Sequence, residues 1–325
     1  MKFRSEFSIA PFTPPLTHKD CILSLGSCFS EQIMRRLKRD KFRVEVNPLG
    51  VIFNPITIAK TLIRLSERRP VLADELHFDP RQGLWFHYDL HGAFSHPVKE
   101  EALKGMNHAI EIGATALEEA DVVAITLGTA LVYRLNSTGE VVTNCHKQGQ
   151  QLFRKEMLSL EEILAPWRTL MEGLLREKRV IFTLSPIRHL SDGAEQNSLS
   201  KALLRVAIGE LTRNYSQSRY FPAWELMMDD LRDYRFYAED LTHPSPTAVN
   251  YLWERFLEAA VAPESRILIE QIEALQRSLE HRPLHPQSEA SRAFSERLSQ
   301  EILRLERALG GGFDCEKEIL AQRFQ

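Results

Sequence analysis

The sequence is poor in cysteine: four in 325 residues, with no C-x-x-C pair among Cys21, Cys28, Cys145 and Cys315. In a chain this large that spacing argues against a disulfide framework and fits reduced thiols in a cytoplasm. Charge of one sign is also lacking. The 41 Lys and Arg nearly balance the 44 Asp and Glu, leaving a net charge of −3. A general nucleic-acid binder, which needs a basic face to neutralise phosphates, is therefore not expected. No apolar run approaches the roughly 18 residues of a membrane span. The opening MKFRSEFSIAPFTPPL is interrupted by Glu6, Pro11, Pro14 and Pro15 and contains no signal-peptide core. Internal repeats and low-complexity tracts are missing too. The remaining composition, 43% hydrophobic and 26% charged, is that of an ordinary globular protein with a sizeable core.

From about residue 20 short β-rich runs alternate with amphipathic helices, which predicts a parallel sheet covered by helices. Cys21 to Leu25 reads as a strand ending at Gly26, and Phe29, Ile33 and Leu37 then mark one face of a helix. Phe42 to Val46 alternates as a second strand. Asn54 before Pro55 reads as the N-cap of a helix through about Leu65. Residues 70–97 interrupt the rhythm and are expected to form an insertion over one end of the sheet. A helix from about Val98 to Glu119 leads to Val122–Leu127, an apolar run suited to a strand covered on both faces. Leu131–Tyr133 and Val141–Thr143 flank a hairpin turn. Ser159-x-x-Glu162 reads as a capping box, with Pro166 expected to kink or restart its helix. Val180–Leu184, a helix from Ser198, Arg219–Phe221 and a helix from Pro246 to Ala260 complete the α/β unit. Two further amphipathic helices, from near Pro263 and Gln287, are expected to pack as a hairpin and to offer a homodimer surface. The boundaries drawn are 1–261 for the α/β domain and 262–325 for a C-terminal helical extension.

Two short motifs carry chemistry. Ser27 lies between a strand and a helix, at the carboxyl end of a parallel strand, where ligands bind and helix amides can stabilise an oxyanion. A plain helix N-cap is the competing role for such a serine. Asp240-x-x-His243 places a carboxylate within reach of Nδ1, which would leave Nε2 to take a proton from a serine. The spacing alone is weak evidence, since Asp74-x-x-His77 repeats it, and a solvated loop histidine is the alternative. Cys28 is a second candidate nucleophile, because a helix N-terminus can lower a thiol pKa. Trp85, His87, Asp89 and His91 would share a face of a strand. With His77 and His96 nearby a metal site is conceivable, but the spacing matches no ligand motif, so none is assigned. Arg188 and His189, in a loop without an evident core role, and His91 and His146 are read as substrate-binding candidates.

Leu25-Gly26-Ser27-Cys28-Phe29-Ser30 resembles the signature of the GSCFA family, with Ser30 in place of its final alanine. Asn47–Pro55, Thr126–Ala130, Asn144–Lys147, Ser185–His189 and Asp240–Ser245 resemble its other blocks in the same order. The similarity covers about residues 20 to 260. That family in turn resembles the SGNH (GDSL-like) esterases and lipases. The likeness implies a three-layer α/β/α fold around a mainly parallel sheet of about five strands. It implies Ser27 as nucleophile, His243 as base, Asp240 as its orienter, and Ser27 and Gly50 as backbone oxyanion donors. The SGNH pattern also has an asparagine donor where this chain reads Gly128-Thr129-Ala130. Thr129, Asn54 and Asn144 are the candidates to replace it.

The expected function is hydrolysis of a short acyl ester of a carbohydrate or other polar alcohol, without a cofactor, metal, nucleic-acid or membrane partner. An O-acyltransferase on the same triad and a ligand-binding protein without catalysis are the rival expectations.

Overall fold

A computed structural model describes residues 5–281 and 288–323. Ten strands and ten helices follow the chain among the described residues. β1 (Cys21–Gly26), α1 (Cys28–Arg39), β2 (Arg43–Val46) and α2 (Pro55–Ser66) come first. The insertion folds as a small hairpin, β3 (His77–Asp79) and β4 (Leu84–Phe86), followed by α3 (Lys99–Glu119) and β5 (Val122–Leu127). A second small sheet holds β6 (Leu131–Leu135), β7 (Val141–Val142) and β8 (Phe153–Met157). Then come α4 (Leu160–Glu172), β9 (Arg179–Leu184), α5 (Ala194–Asn214) and β10 (Ser218–Phe221). The short α6 (Ala223–Glu225) runs into a π-helical turn, and α7 (Pro246–Ala260), α8 (Pro263–Glu280), α9 (Glu289–Leu309) and α10 (Asp314–Arg323) complete the chain.

Five strands form one parallel sheet in the order β2-β1-β5-β9-β10. Alternate residues feed two cores. Leu23, Leu25, Val123, Ile125, Val180 and Phe182 pack beneath α2 to α5, whereas Ile22, Val122, Ala124 and Ile181 pack against α1 and α7. This is the expected three-layer α/β/α arrangement. Numbered within the sheet alone the order is 2-1-3-4-5, so the chain reverses direction across the sheet between β1 and β5. Open parallel sheets bind ligands at such a switch point, beyond the carboxyl ends of the strands. Ser27 follows one of these strands and Gly128 the other.

Local chemistry explains most boundaries. Asn54 Oδ1 accepts the Thr57 N–H at 2.9 Å and Pro55 occupies the first turn of α2. Ser159 and Glu162 form the full capping box of α4. Pro166 does not restart that helix, one of the two outcomes expected from the sequence, and lies inside its span. It forfeits one backbone bond, but buried Ile163, Leu164 and Trp167 hold the face, and Trp167 Nε1 donates to the Pro55 carbonyl at 3.1 Å. The last three helices share a small core of Ile272, Leu275, Ile302, Leu305 and Phe313. The segment around Pro283–Pro286 and the expected helix start at Gln287 lie outside the described residues. No helix among the described residues is long and apolar enough to cross a membrane.

Candidate active site

The site begins where β1 ends. A Cβ on Gly26 would lie 2.6 Å from the Thr126 carbonyl oxygen, so only glycine lets β1 and β5 approach this closely. The Gly26 N–H donates to Asn47 Oδ1 at 2.9 Å, which ties the loop after β2 to the turn. Ser27 is the N-cap residue of α1, yet its side chain makes no capping bond. Its hydroxyl instead donates to Ser185 Oγ, 3.1 Å away at the end of β9. Ser27 is only 3% exposed. A mere capping serine would aim Oγ at its own helix; this one points across the sheet edge.

His243 arrives from the loop before α7. Its Nδ1 lies 2.5 Å from Asp240 Oδ2, while Asp240 Oδ1 accepts the N–H groups of Thr242 and His243, each at 2.9 Å. Those two amides, then the imidazole, hold the Asp240 carboxyl well below the usual carboxylate range. The ring is thereby oriented with Nε2 toward the first turn of α1. There it meets Cys28 Sγ at 3.7 Å. Among the described residues no hydrogen bond joins His243 to Ser27, so the expected Nε2–Oγ contact is not made in this arrangement. The reason is local: Ser27 Oγ is engaged by Ser185, and Cys28 presents its sulfur to the ring. Burial pushes the Cys28 thiol up, although the amides of Cys28 and Phe29 oppose this.

The expected oxyanion donors are placed less favourably. The Gly50 N–H closes a turn onto the Asn47 carbonyl at 2.8 Å. Gly50 itself is required by its φ of +83° and by His91, whose Cβ would lie 2.2 Å from a Cβ added there. Thr129 Oγ1 is shared between Ser200 Oγ at 3.0 Å and the Leu131 N–H at 3.0 Å. Asn54 caps α2, and Asn144 Oδ1 accepts the His146 N–H at 2.8 Å. Both asparagines keep an Nδ2 with no partner among the described residues.

The substrate-binding candidates divide in the same way. His146 is buried, stacks on Phe86 with ring centroids 4.5 Å apart and bonds through Nε2 to the His87 carbonyl, so its role is to hold the insertion together. His91 is exposed beside Gly50, where its Nδ1 caps a short 3-10 turn. Arg188 is no solvated loop residue. Its N–H donates to the Thr242 carbonyl and its guanidinium lies over the Tyr237 ring at 5.0 Å, which fastens the β9 loop to the His243 loop. His189 is partly buried beside Phe53 and Gly128; its Nε2 has no hydrogen-bond partner among the described residues, and burial lowers its pKa to about 4. The expected shared strand face of Trp85, His87, Asp89 and His91 is not formed, because β4 stops at Phe86. Among the described residues no three His, Cys, Asp or Glu side chains converge as a metal site.

Three contributors were missed in the sequence. Asn47, at a φ of +46°, braces Gly26. Ser185 is fully buried and meets Ser27. Lys201, only 2% exposed on α5, donates to the carbonyls of Gly128 and Ser185, each at 2.7 Å, and so clamps the ends of β5 and β9. Its ammonium also lies 5.0 Å from the Trp224 ring centre. Burial pushes its pKa down to about 7, while two short carbonyl bonds favour the charged form. One lysine in a polar helix segment gives no sequence signal that it will be buried.

The model of the GSCFA family matches residues 21–256, and the model described as GSCFA domain protein, C-terminal domain, matches residues 272–325. No curated protein matches the chain. The first match spans Ser27, Asn47, Ser185, Lys201 and the Asp240–His243 pair, and covers well over half of the sequence: the chain belongs to the GSCFA family.

Proposed function

We propose that this chain is a serine-type ester hydrolase in which Ser27 is the nucleophile, His243 the general base and then acid, and Asp240 the residue that orients it. The observation that carries this reading is the Nδ1–Asp240 bond, which directs Nε2 to the Ser27–Cys28 turn at the sheet's switch point. Ser27 Oγ would attack the ester carbonyl as its proton passes to Nε2. The same proton would then leave on the alcohol, and water, deprotonated by Nε2, would cleave the acyl-serine. The reaction requires the Ser27 hydroxyl to turn from Ser185 to His243. Catalytic hydrogen bonds are commonly misaligned before substrate arrives, so such a turn is an ordinary requirement. The Ser27 N–H and the first amides of α1 would face the developing oxyanion, with Asn54 Nδ2 or Asn144 Nδ2 as side-chain donors. A short acyl ester of a carbohydrate or other polar alcohol suits the polar insertion that flanks Gly50.

A thiol reading competes, because Cys28 Sγ is the group His243 Nε2 actually meets. Its raised pKa disfavours a ready thiolate. Hydrolysis of a short-chain aryl ester separates the two. Ser27→Ala and His243→Ala are expected to lose nearly all turnover while Cys28→Ala keeps it. The reverse pattern for Ser27 and Cys28 would transfer the role to the thiol. Full activity in both variants would end both readings. Adding an alcohol acceptor distinguishes a transferase, which would form a new ester in place of the free acid.

A further inference from the structure

Among the described residues an open cavity of about 870 Å³ has neither Ser27 nor His243 in its lining. It lies between α2, the insertion and the β6–β7 hairpin, and its size is that of a small-ligand pocket. His87 and Asp89 belong to its lining. The His87 Nδ1 accepts the Asp89 backbone N–H at 3.0 Å. Burial, with Arg64 close by, lowers the ring's pKa to about 4. The imidazole is therefore neutral at physiological pH and carries its proton on Nε2, as a donor. The Asp89 carboxylate accepts no hydrogen bond among the described residues, although burial raises its pKa and makes an unpaired charge costly. One acceptor group and one donor group thus belong to the same lining.

The surrounding charges narrow the ligand class. Arg64 is committed to the Pro70 carbonyl at 3.3 Å and to Glu75 at 3.1 Å. Lys60 is committed to the Val141 carbonyl at 3.1 Å and lies 4.0 Å from Glu140. Arg69, the third cation of the lining, lies 3.5 Å from Glu67, so each of the three already has a carboxylate partner. All three still exert a positive field on Asp89, partly offset by Glu75, which disfavours an ammonium ligand there. A neutral molecule rich in hydroxyls satisfies both constraints. Its C–H faces could rest on Ile63 and Leu152, which are 39% and 42% exposed at the cavity wall.

We propose that this cavity is a binding site for a neutral saccharide, with Asp89 accepting from its hydroxyls and His87 Nε2 donating to one. The site stands apart from Ser27 and does not rest on the hydrolase reading. The test is a ligand-observed NMR titration of the full chain with D-glucose, N-acetyl-D-glucosamine and cellobiose, alongside glucose 6-phosphate and spermidine. At least one neutral sugar is expected to bind with a Kd of about 1 mM or tighter. Asp89→Ala, and Ser137→Trp at the exposed hairpin turn on the cavity rim, should each weaken binding at least about tenfold, in the range expected for a lost charge-assisted hydrogen bond or a plugged pocket. Ser27→Ala should bind like the wild type. Absence of sugar binding, tighter binding of glucose 6-phosphate or spermidine, or binding unchanged in both pocket variants would overturn the proposal. The two variants act by different means, so misfolding of one leaves the other to decide.

Discussion

Leu241, 48% exposed, is held at a φ of +56° between the two residues of the Asp240–His243 pair. A branched apolar residue in that region costs about 1–2 kcal/mol relative to one that tolerates it. The geometry persists because Asp240 ties down the amides of Thr242 and His243 on one side, and the Leu241 N–H donates to the Ala238 carbonyl on the other. Leu241→Asn should therefore raise stability by about 0.5–1 kcal/mol in urea unfolding, against the usual direction of point mutations. Asp240→Asn should lower ester turnover by about 100- to 10,000-fold, less than His243→Ala, since it disturbs tautomer and charge but leaves the base in place. Lys201 sets a pH dependence. Its folded pKa, about 7, lies below its ordinary value of 10.5, so the unfolded chain binds the extra proton between those limits. Stability conferred at this position thus rises with pH across that window. Urea midpoints should increase from about pH 7 to about pH 9.5 in the wild type by more than in Lys201→Met. Equal increments would show that Lys201 stays charged in the folded protein.

At the scale of elements, the sequence was most legible where one local rule decides. The apolar run Val122–Leu127, the Asn54-Pro55 start of α2, the capping box of α4 and the span of α7 were all read within a residue or two. Tertiary packing overrode local rules elsewhere. α4 passes through Pro166 because its buried face outweighs one lost bond. β8, whose residues Arg154, Lys155 and Glu156 are polar, exists because it pairs along the whole of β6. The C-terminal helices were expected from their stripes, but not the contacts that seat them on the body. Lys41 pairs with Glu316 at 2.7 Å and lies over the Phe313 ring at 4.8 Å, and Arg39 bonds Glu273 at 3.2 Å. Glu316 is 6% exposed, so Lys41→Ala would leave a buried carboxylate without its cation. That change should cost about 2–4 kcal/mol and open the C-terminal helices to proteolysis before the α/β body. Simultaneous cleavage of both would contradict that seating.

At the scale of the molecule, the order of the strands matters more than any single motif. The parallel sheet places the ends of β1, β5 and β9 side by side, which brings Ser27, Gly128 and Ser185 together from positions far apart in the chain. The Ser27 turn and the Asp240–His243 pair could be read from sequence because each is local. Their relation could not, because the Ser27–Ser185 bond, the Lys201 clamp and the Cys28–His243 contact exist only once the sheet has formed. Whether His243 serves the hydroxyl of Ser27 or the thiol of Cys28 is the central question, and a fluorophosphonate probe addresses it directly. After reaction, mass spectrometry of the digested protein should locate the phosphonyl adduct on Ser27 in the wild type and in Cys28→Ala, with no adduct in Ser27→Ala or His243→Ala. An adduct that persists in Ser27→Ala, or no adduct on the wild type, would contradict the assignment of Ser27 as the nucleophile.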